Sequence, residues 1–331
     1  MKAAVLEGKR IFAVRDLADP VPGPGEVLVK VRYCGICGSD LHIFSEGAAV
    51  GAGHEYSGDI AAVGEGVTGW AVGDRVAVEP CISCGECFWC QRGEIGLCEN
   101  YYAALVEYKG AFATHTRVDS GRLYPVPHHI TYEEAALIEP ATCAFHAVKL
   151  SGLREGDTVA VLGLGPIGQL VARLARAMGA GAVYASEISR SRIALAGDIA
   201  DAVIDPGSAN TVDEILRLMN GKAPDVVFEC AGNTLSTQES LALVRKGGTI
   251  VAAGICLDPV HLSFSNIVLR GLTVKGSICW TRGEYASTFE LVKEGRIELR
   301  SLVTDVMPLD RINDAFEKAS RADGGKILIS P

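Results

Sequence analysis

From about residue 157 onward, short unbroken apolar runs alternate with stretches whose apolar residues recur every three or four positions. The runs are 158–162, 182–186, 202–204, 225–229, 249–253 and 272–275, and the stretches between them at 167–178, 190–196, 212–219 and 236–244 carry helical spacing. A run such as Val226-Val227-Phe228 shows no polar alternation, as expected of a strand buried on both faces. Six such strands with crossover helices predict an α/β domain with a doubly wound parallel sheet. Residues 1 to about 130 read differently, as short β-rich segments at 3–5, 27–31, 59–63 and 75–78, broken by glycine and proline, with a loop at 20–25. After about 282 a helix (285–293), a strand (302–306), a helix (309–320) and a strand (326–329) are expected, a segment able to rejoin the first domain. Two domains follow, a β-rich one from 1–146 with 283–331, and a nucleotide-binding one from 147–282.

Composition narrows the classes. With 48% apolar and 21% charged residues in 331, the chain reads as globular, and a net charge of -9 argues against a nucleic-acid partner, which calls for a concentrated basic face. No run of membrane-spanning length and no leader-like apolar core is present, so a soluble, cytoplasmic protein with no membrane partner is expected. Its eleven cysteines should then be reduced. Five of them fall between 81 and 98. Cys84, Cys87, Cys90 and Cys98, spaced C-x2-C-x2-C-x7-C among Gly85, Gly93 and Gly96, suit a closed four-thiolate zinc site that shapes a loop and does no chemistry. Disulfides between such near neighbours would be strained. Cys81 is a fifth thiol outside the regular run, and Cys230, Cys256 and Cys279, in apolar runs, read as small core residues.

The run 158–162 leads into Gly163-Leu164-Gly165-Pro166-Ile167-Gly168 and then a helix, the context that makes a G-x-G-x-x-G pattern a dinucleotide signal. Gly163 allows the turn, Gly165 admits a pyrophosphate, Gly168 lets helix and strand approach, and Pro166 suits the first helical turn, so that the helix N-terminus at Ile167 faces the phosphates. Glu187, about 20 residues on, is placed to accept ribose hydroxyls and to repel a 2′-phosphate, favouring NAD over NADP. Arg190 and Arg192 nearby are alternative phosphate partners. Upstream, Cys37-Gly38-Ser39-Asp40-Leu41-His42 and Gly53-His54-Glu55 supply a thiolate, imidazoles and carboxylates, the ingredients of an open zinc site.

These last two motifs, the cysteine lobe, Glu139-Pro140, the glycine turn and Asp225-Val226-Val227-Phe228-Glu229 together resemble the medium-chain, zinc-dependent alcohol and polyol dehydrogenases, over nearly the whole chain. The resemblance implies a Rossmann domain beside a GroES-like catalytic domain, a zinc of structure and a zinc of catalysis in each chain, and NAD. It implies Cys37 and His54 as catalytic zinc ligands. The third ligand falls on Glu139, as in the sorbitol and butanediol dehydrogenase branches, with Cys143 as rival and Glu55 able to exchange with it. Ser39 then takes the substrate proton, His42 passes it to solvent, and Asp40 steadies His54 from behind. The reaction centre is expected in a cleft between the domains. Pocket candidates are Ser39, Phe44, Glu139 and Trp280.

The chain departs from the family at 43–52, shorter than the loop expected there. Hydride transfer between a secondary alcohol or polyol, or its ketone, and NAD is the reading, with a catalytically silent NAD-binding member of the superfamily as alternative. An edge strand near 268–275 predicts a homodimer or homotetramer.

Overall fold

The computed structural model describes residues 1–47, 52–101 and 110–331, so part of the short 43–52 stretch, at 48–51, lies outside the described residues. Two compact units are present, Met1–Glu139 with Thr281–Pro331, and Pro140–Trp280.

In the first unit, β1 (Lys2–Gly8) and β2 (Ile11–Asp16) form an antiparallel pair. The strands β3 (Glu26–Gly35), β4 (Glu55–Val63), β5 (Arg75–Val78), β6 (His115–Asp119) and β7 (Leu123–Pro125) follow. Along β3 the period-two pattern is plain: Val27, Val29 and Val31 are buried while Lys30 and Arg32 are exposed.

The second unit carries β8 (Thr158–Leu162), β9 (Ala182–Ser186), β10 (Ala202–Ile204), β11 (Val226–Glu229), β12 (Thr249–Ala252) and β13 (Thr273–Gly276), all paired in parallel in the order β10-β9-β8-β11-β12-β13. Val159 to Leu162 are wholly buried, as a strand covered on both faces must be. Strand order reverses between β8 and β11, and in open sheets of this kind ligands bind beyond the carboxyl ends at that reversal.

The chain then returns to the first unit with β14 (Val303–Pro308) and β15 (Lys326–Ser330), giving the sheet β14-β15-β3-β4-β5-β7 with β6 also on β3. β15 runs antiparallel to β3, Leu328 facing Gly35. The boundary positions 146 and 282 fall, respectively, in helix Ile138–Ser151 and in the stretch between β13 and helix Glu284–Lys293.

An aromatic cluster locks the returning segment to the start of the chain. Phe316, on helix Ile312–Ser320, packs against Phe12 of β2 (centroids 4.8 Å), Phe44 (4.9 Å) and Phe112 (5.5 Å). Phe44 belongs to helix Gly38–Glu46 and is buried, so it is a core residue and not a pocket wall. Trp280 is likewise buried.

Five helices exceed the sequence expectation, two of them the short Phe88–Gln91 and Tyr132–Ala136. Gly38–Glu46 is short and opens with glycine, and Ile138–Ser151 holds Pro140 in its first turn, where proline is tolerated because that N–H has no partner within the helix. Phe264–Arg270 buries none of its residues, so its apolar positions carry no inward periodicity. Cys230, Cys256 and Cys279 prove to be half-buried and not core residues. They follow the carboxyl ends of β11, β12 and β13, where an apolar strand gives way to an open loop. Among the described residues no helix is long and apolar enough to cross a membrane.

Truncating the hub of the aromatic cluster, Phe316→Ala, should cost about 3–5 kcal/mol in the unfolding of this unit. Urea denaturation followed by tryptophan emission measures the loss.

Candidate metal centres and dinucleotide loop

Two groups of side chains converge as metal ligands do. In the first, the sulfurs of Cys84, Cys87, Cys90 and Cys98 all lie within 4.8 Å of one another. Gly85 and Gly93 adopt the left-handed conformation that folds the loop back (φ 77° and 83°), and Cys87 opens helix Phe88–Gln91. None is in a disulfide. Backbone N–H groups of Glu86 and Cys87 push the Cys84 thiol down to about 6, toward the thiolate that binds metal. The lobe is tied to the returning chain, Arg282 N–H donating to the Gly93 carbonyl at 2.7 Å. Cys81 stands outside the group and is buried, and its carbonyl accepts from the Arg122 guanidinium at 2.9 Å.

In the second group Cys37 Sγ, a ring nitrogen of His54 and a carboxylate oxygen of Glu55 lie within 4.8 Å of one another. Cys37 precedes helix Gly38–Glu46, and His54 immediately precedes Glu55, the first residue of β4. Asp40, fully buried, brings these segments together. Its Oδ2 accepts the Cys37 N–H and its Oδ1 the Gly53 N–H, each at 3.0 Å. Its Oδ1 is 3.6 Å from His54 Nδ1, beyond hydrogen-bond distance, so Asp40 steadies the ring through its charge. Burial pushes the His54 imidazolium toward losing its proton, but Asp40 and Cys37 push harder the other way and hold its pKa well above the ordinary range. The pocket is thus rich in negative charge.

One cation answers it. Lys326 Nζ donates to Glu55 Oε1 at 2.6 Å and to the Ile36 carbonyl at 3.1 Å, both side chains of the pair being almost wholly buried. Burial pushes the Lys326 ammonium down, and Glu55 and Cys37 raise it above its usual value. Glu55 Oε2 is buried with no hydrogen-bond partner. A bare carboxylate oxygen inside a protein is costly, and here it sits beside a thiol and an imidazole, a donor set that fits zinc. Glu139 is buried in the first turn of helix Ile138–Ser151 but is not in the three-ligand group, although its charge reaches His54 and Lys326. Cys143, on the same helix, is not in it either. Ser39 and His42 are exposed, three apart and so on one face of their helix.

The glycine turn assigns its three glycines different tasks. Gly163 has φ 91° and is pressed on Ala231, and a Cβ on Gly168 would stand 1.8 Å from the Gly163 carbonyl oxygen, so the fold itself requires both. Gly165 has φ −61°, and a Cβ there would meet nothing nearer than the Arg192 guanidinium at 3.6 Å. The fold leaves that space open. Gly165 precedes helix Pro166–Ala177, whose N-terminus carries no side-chain cap, with Pro166 in the first turn and Ile167 behind it. Glu187 is drawn into the turn: Oε2 accepts from Leu164 N–H (2.9 Å), and Oε1 from Ile188 (2.8 Å) and Ser189 (2.9 Å). Arg192 Nη1 lies 3.9 Å from Glu187 Oε2.

Sequence reasoning missed Lys326 as part of a site. Its only signal is a charge at the head of the apolar strand Lys326–Ser330.

Comparison with known proteins agrees with this geometry. Residues 23–128 match the alcohol dehydrogenase GroES-like domain family and residues 166–294 the zinc-binding dehydrogenase family. The chain is 34% identical over 330 residues to the sorbitol dehydrogenase of Bacillus subtilis (strain 168), covering 96% of this chain and 93% of that one. Its structure is similar to that of 2R,3R-butanediol dehydrogenase from Bacillus subtilis (TM-score 0.90, 32% identity, 100% and 99% of the two chains). It is also similar to a Sinorhizobium meliloti 1021 chain bound to NADP (TM-score 0.93, 34% identity, 100% and 99%).

The glycine assignments separate in two variants. Gly165→Val should melt like the wild type without ligand yet lose the stabilisation that a nicotinamide dinucleotide gives, whereas Gly168→Ala should lose both. Thermal melts with and without dinucleotide decide between them.

Proposed function

This chain belongs to the zinc-dependent medium-chain alcohol and polyol dehydrogenases, and we propose that it oxidises a secondary alcohol or polyol with NAD, or reduces the ketone with NADH, at Cys37, His54 and Glu55. The observation that carries this reading is the convergence of these three ligand atoms around a buried, unsatisfied Glu55 oxygen. Cys37, His54 and Glu55 would hold one zinc, with Glu139 close enough to act on its charge, and Cys84, Cys87, Cys90 and Cys98 a second. When bound, the first zinc supplies Lewis acidity that lowers the pKa of an alcohol hydroxyl, and the nicotinamide supplies the hydride acceptor.

The chain's own groups do the rest. Ser39 Oγ receives the hydroxyl proton and the His42 ring carries it to water, a relay for which their shared, exposed helix face is suited. Asp40 holds the Cys37 and His54 segments at fixed separation and, by its charge, keeps the imidazole oriented. At the other site Gly165 gives the pyrophosphate room, and the capless helix beginning Pro166-Ile167 offers it N–H groups. Glu187 keeps lone-pair capacity for a ribose hydroxyl, and its charge favours NAD. Arg192 is the partner a 2′-phosphate would find, so the ratio of NAD to NADP turnover tests the preference.

We assign the active form as a homodimer, or a homotetramer of two such dimers. β13 is an outer strand of its sheet with Val274 exposed, and the neighbouring helix presents Phe264, Val268 and Leu269 outward. An open apolar edge of this kind is a template for pairing with a second copy. Eleven cysteines with no disulfide among them suit the reducing cytoplasm.

Cys37→Ala and His54→Ala should each lower turnover of secondary alcohols at least a thousandfold, with dinucleotide binding kept and bound zinc falling from about two to about one per chain. Normal turnover in either overturns the metal assignment. Leu269→Glu combined with Val274→Lys should convert the oligomer to a monomer by light scattering.

A further inference from the structure

Glu55 and Lys326 are separated by a strand. Glu55 heads β4, which lies on one side of β3, and Lys326 heads β15, which lies on the other. Directly opposite residues share a face, and so do residues two apart on one strand. Gly35 faces Glu55 across one ladder and Leu328 across the other, which puts Gly35, Glu55 and Lys326 on a single face. The carboxylate reaches the ammonium, 2.6 Å away, by lying across β3 on top of Gly35.

Only glycine leaves that path free. A Cβ on Gly35 would stand 2.2 Å from Glu55 Oε2, 3.2 Å from its Cβ and 3.3 Å from its Cδ. Real Cβ contacts essentially never fall under 3.0 Å, so Oε2 would have to retreat by 0.8 Å or more. Retreat is hard, because Oε1 is tied to Lys326 and the whole side chain is buried. The backbone makes no such demand, since Gly35 is not among the residues of positive φ. The glycine therefore serves the side chain lying over it.

The geometry points to Gly35 as a positioning residue of the metal centre: its missing Cβ is the passage through which Glu55 spans from Cys37 and His54 to Lys326. This rests on the reading that Cys37, His54 and Glu55 hold a metal. Ligand positions tolerate about 0.2 Å, so a shift several times larger removes the carboxylate from the metal.

The test uses the full-length protein loaded with Co2+, whose visible spectrum reports the ligands. The band lost in Cys37→Ala identifies the centre. Gly35→Ala should alter that band and weaken Co2+ at this centre tenfold or more, with the four-cysteine site filled and the dinucleotide-induced melting shift unchanged. In a Glu55→Ala background the added Cβ has no carboxylate to displace and meets only the remaining Cβ, at 3.2 Å, so Gly35→Ala should change Co2+ affinity less than twofold. A Gly35→Ala protein with wild-type spectrum and affinity overturns the inference. So does an equal loss in the Glu55→Ala background, which would make Gly35 a backbone requirement. If no cobalt band depends on Cys37, the metal reading itself fails, a result the Gly35 variants cannot produce.

Discussion

The fully buried carboxylate of Asp40 governs the arrangement of the first unit's site. By accepting N–H groups from Cys37 and Gly53 at 3.0 Å each, it fixes the distance between two segments that lie sixteen residues apart in the sequence. A thiol and an imidazole then meet within 4.8 Å. Burial raises the pKa of Asp40, opposed by the charge of His54 and by the two N–H donors, so the carboxylate and its partners depend on one another. Neutralising it would free both segments at once.

Charge balance explains the next layer. Asp40, Glu55 and Glu139 are all buried around His54 and Lys326, and Lys326, hydrogen-bonded to Glu55, brings a buried cation to them. Such a concentration of anions is unfavourable by itself and becomes favourable when a divalent ion enters. At the dinucleotide turn the logic is reversed: backbone N–H groups collect around Glu187, and a helix start is left without a cap. One site gathers negative charge and the other N–H donors.

Much of this was legible in the residues. The parallel strands announced themselves as unbroken apolar runs because burial on both faces removes alternation, and the strands of the six-stranded sheet lie within a residue or so of the expected bounds. The cysteine lobe was legible because its ligands are local. The second group was harder, since both Glu55 and Glu139 were expected near its metal, and it is strand register, not spacing, that brings Glu55 beside Cys37 and His54. Lys326 was invisible because it arrives from the far end of the sequence. Positions 268–270, expected in the edge strand, close helix Phe264–Arg270 instead, and Cys230, Cys256 and Cys279 were misread because an apolar residue signals burial and nothing in a single chain says that its cover is missing.

The discontinuity of the first unit has a consequence for synthesis. β15 carries the lysine that compensates Glu55 and completes the sheet beside β3, yet it leaves the ribosome only after the entire β8 to β13 sheet. Domains tend to fold as they emerge. The inserted unit can therefore mature during translation, while the unit surrounding it waits, its acidic pocket unbalanced, for the last strand to be made.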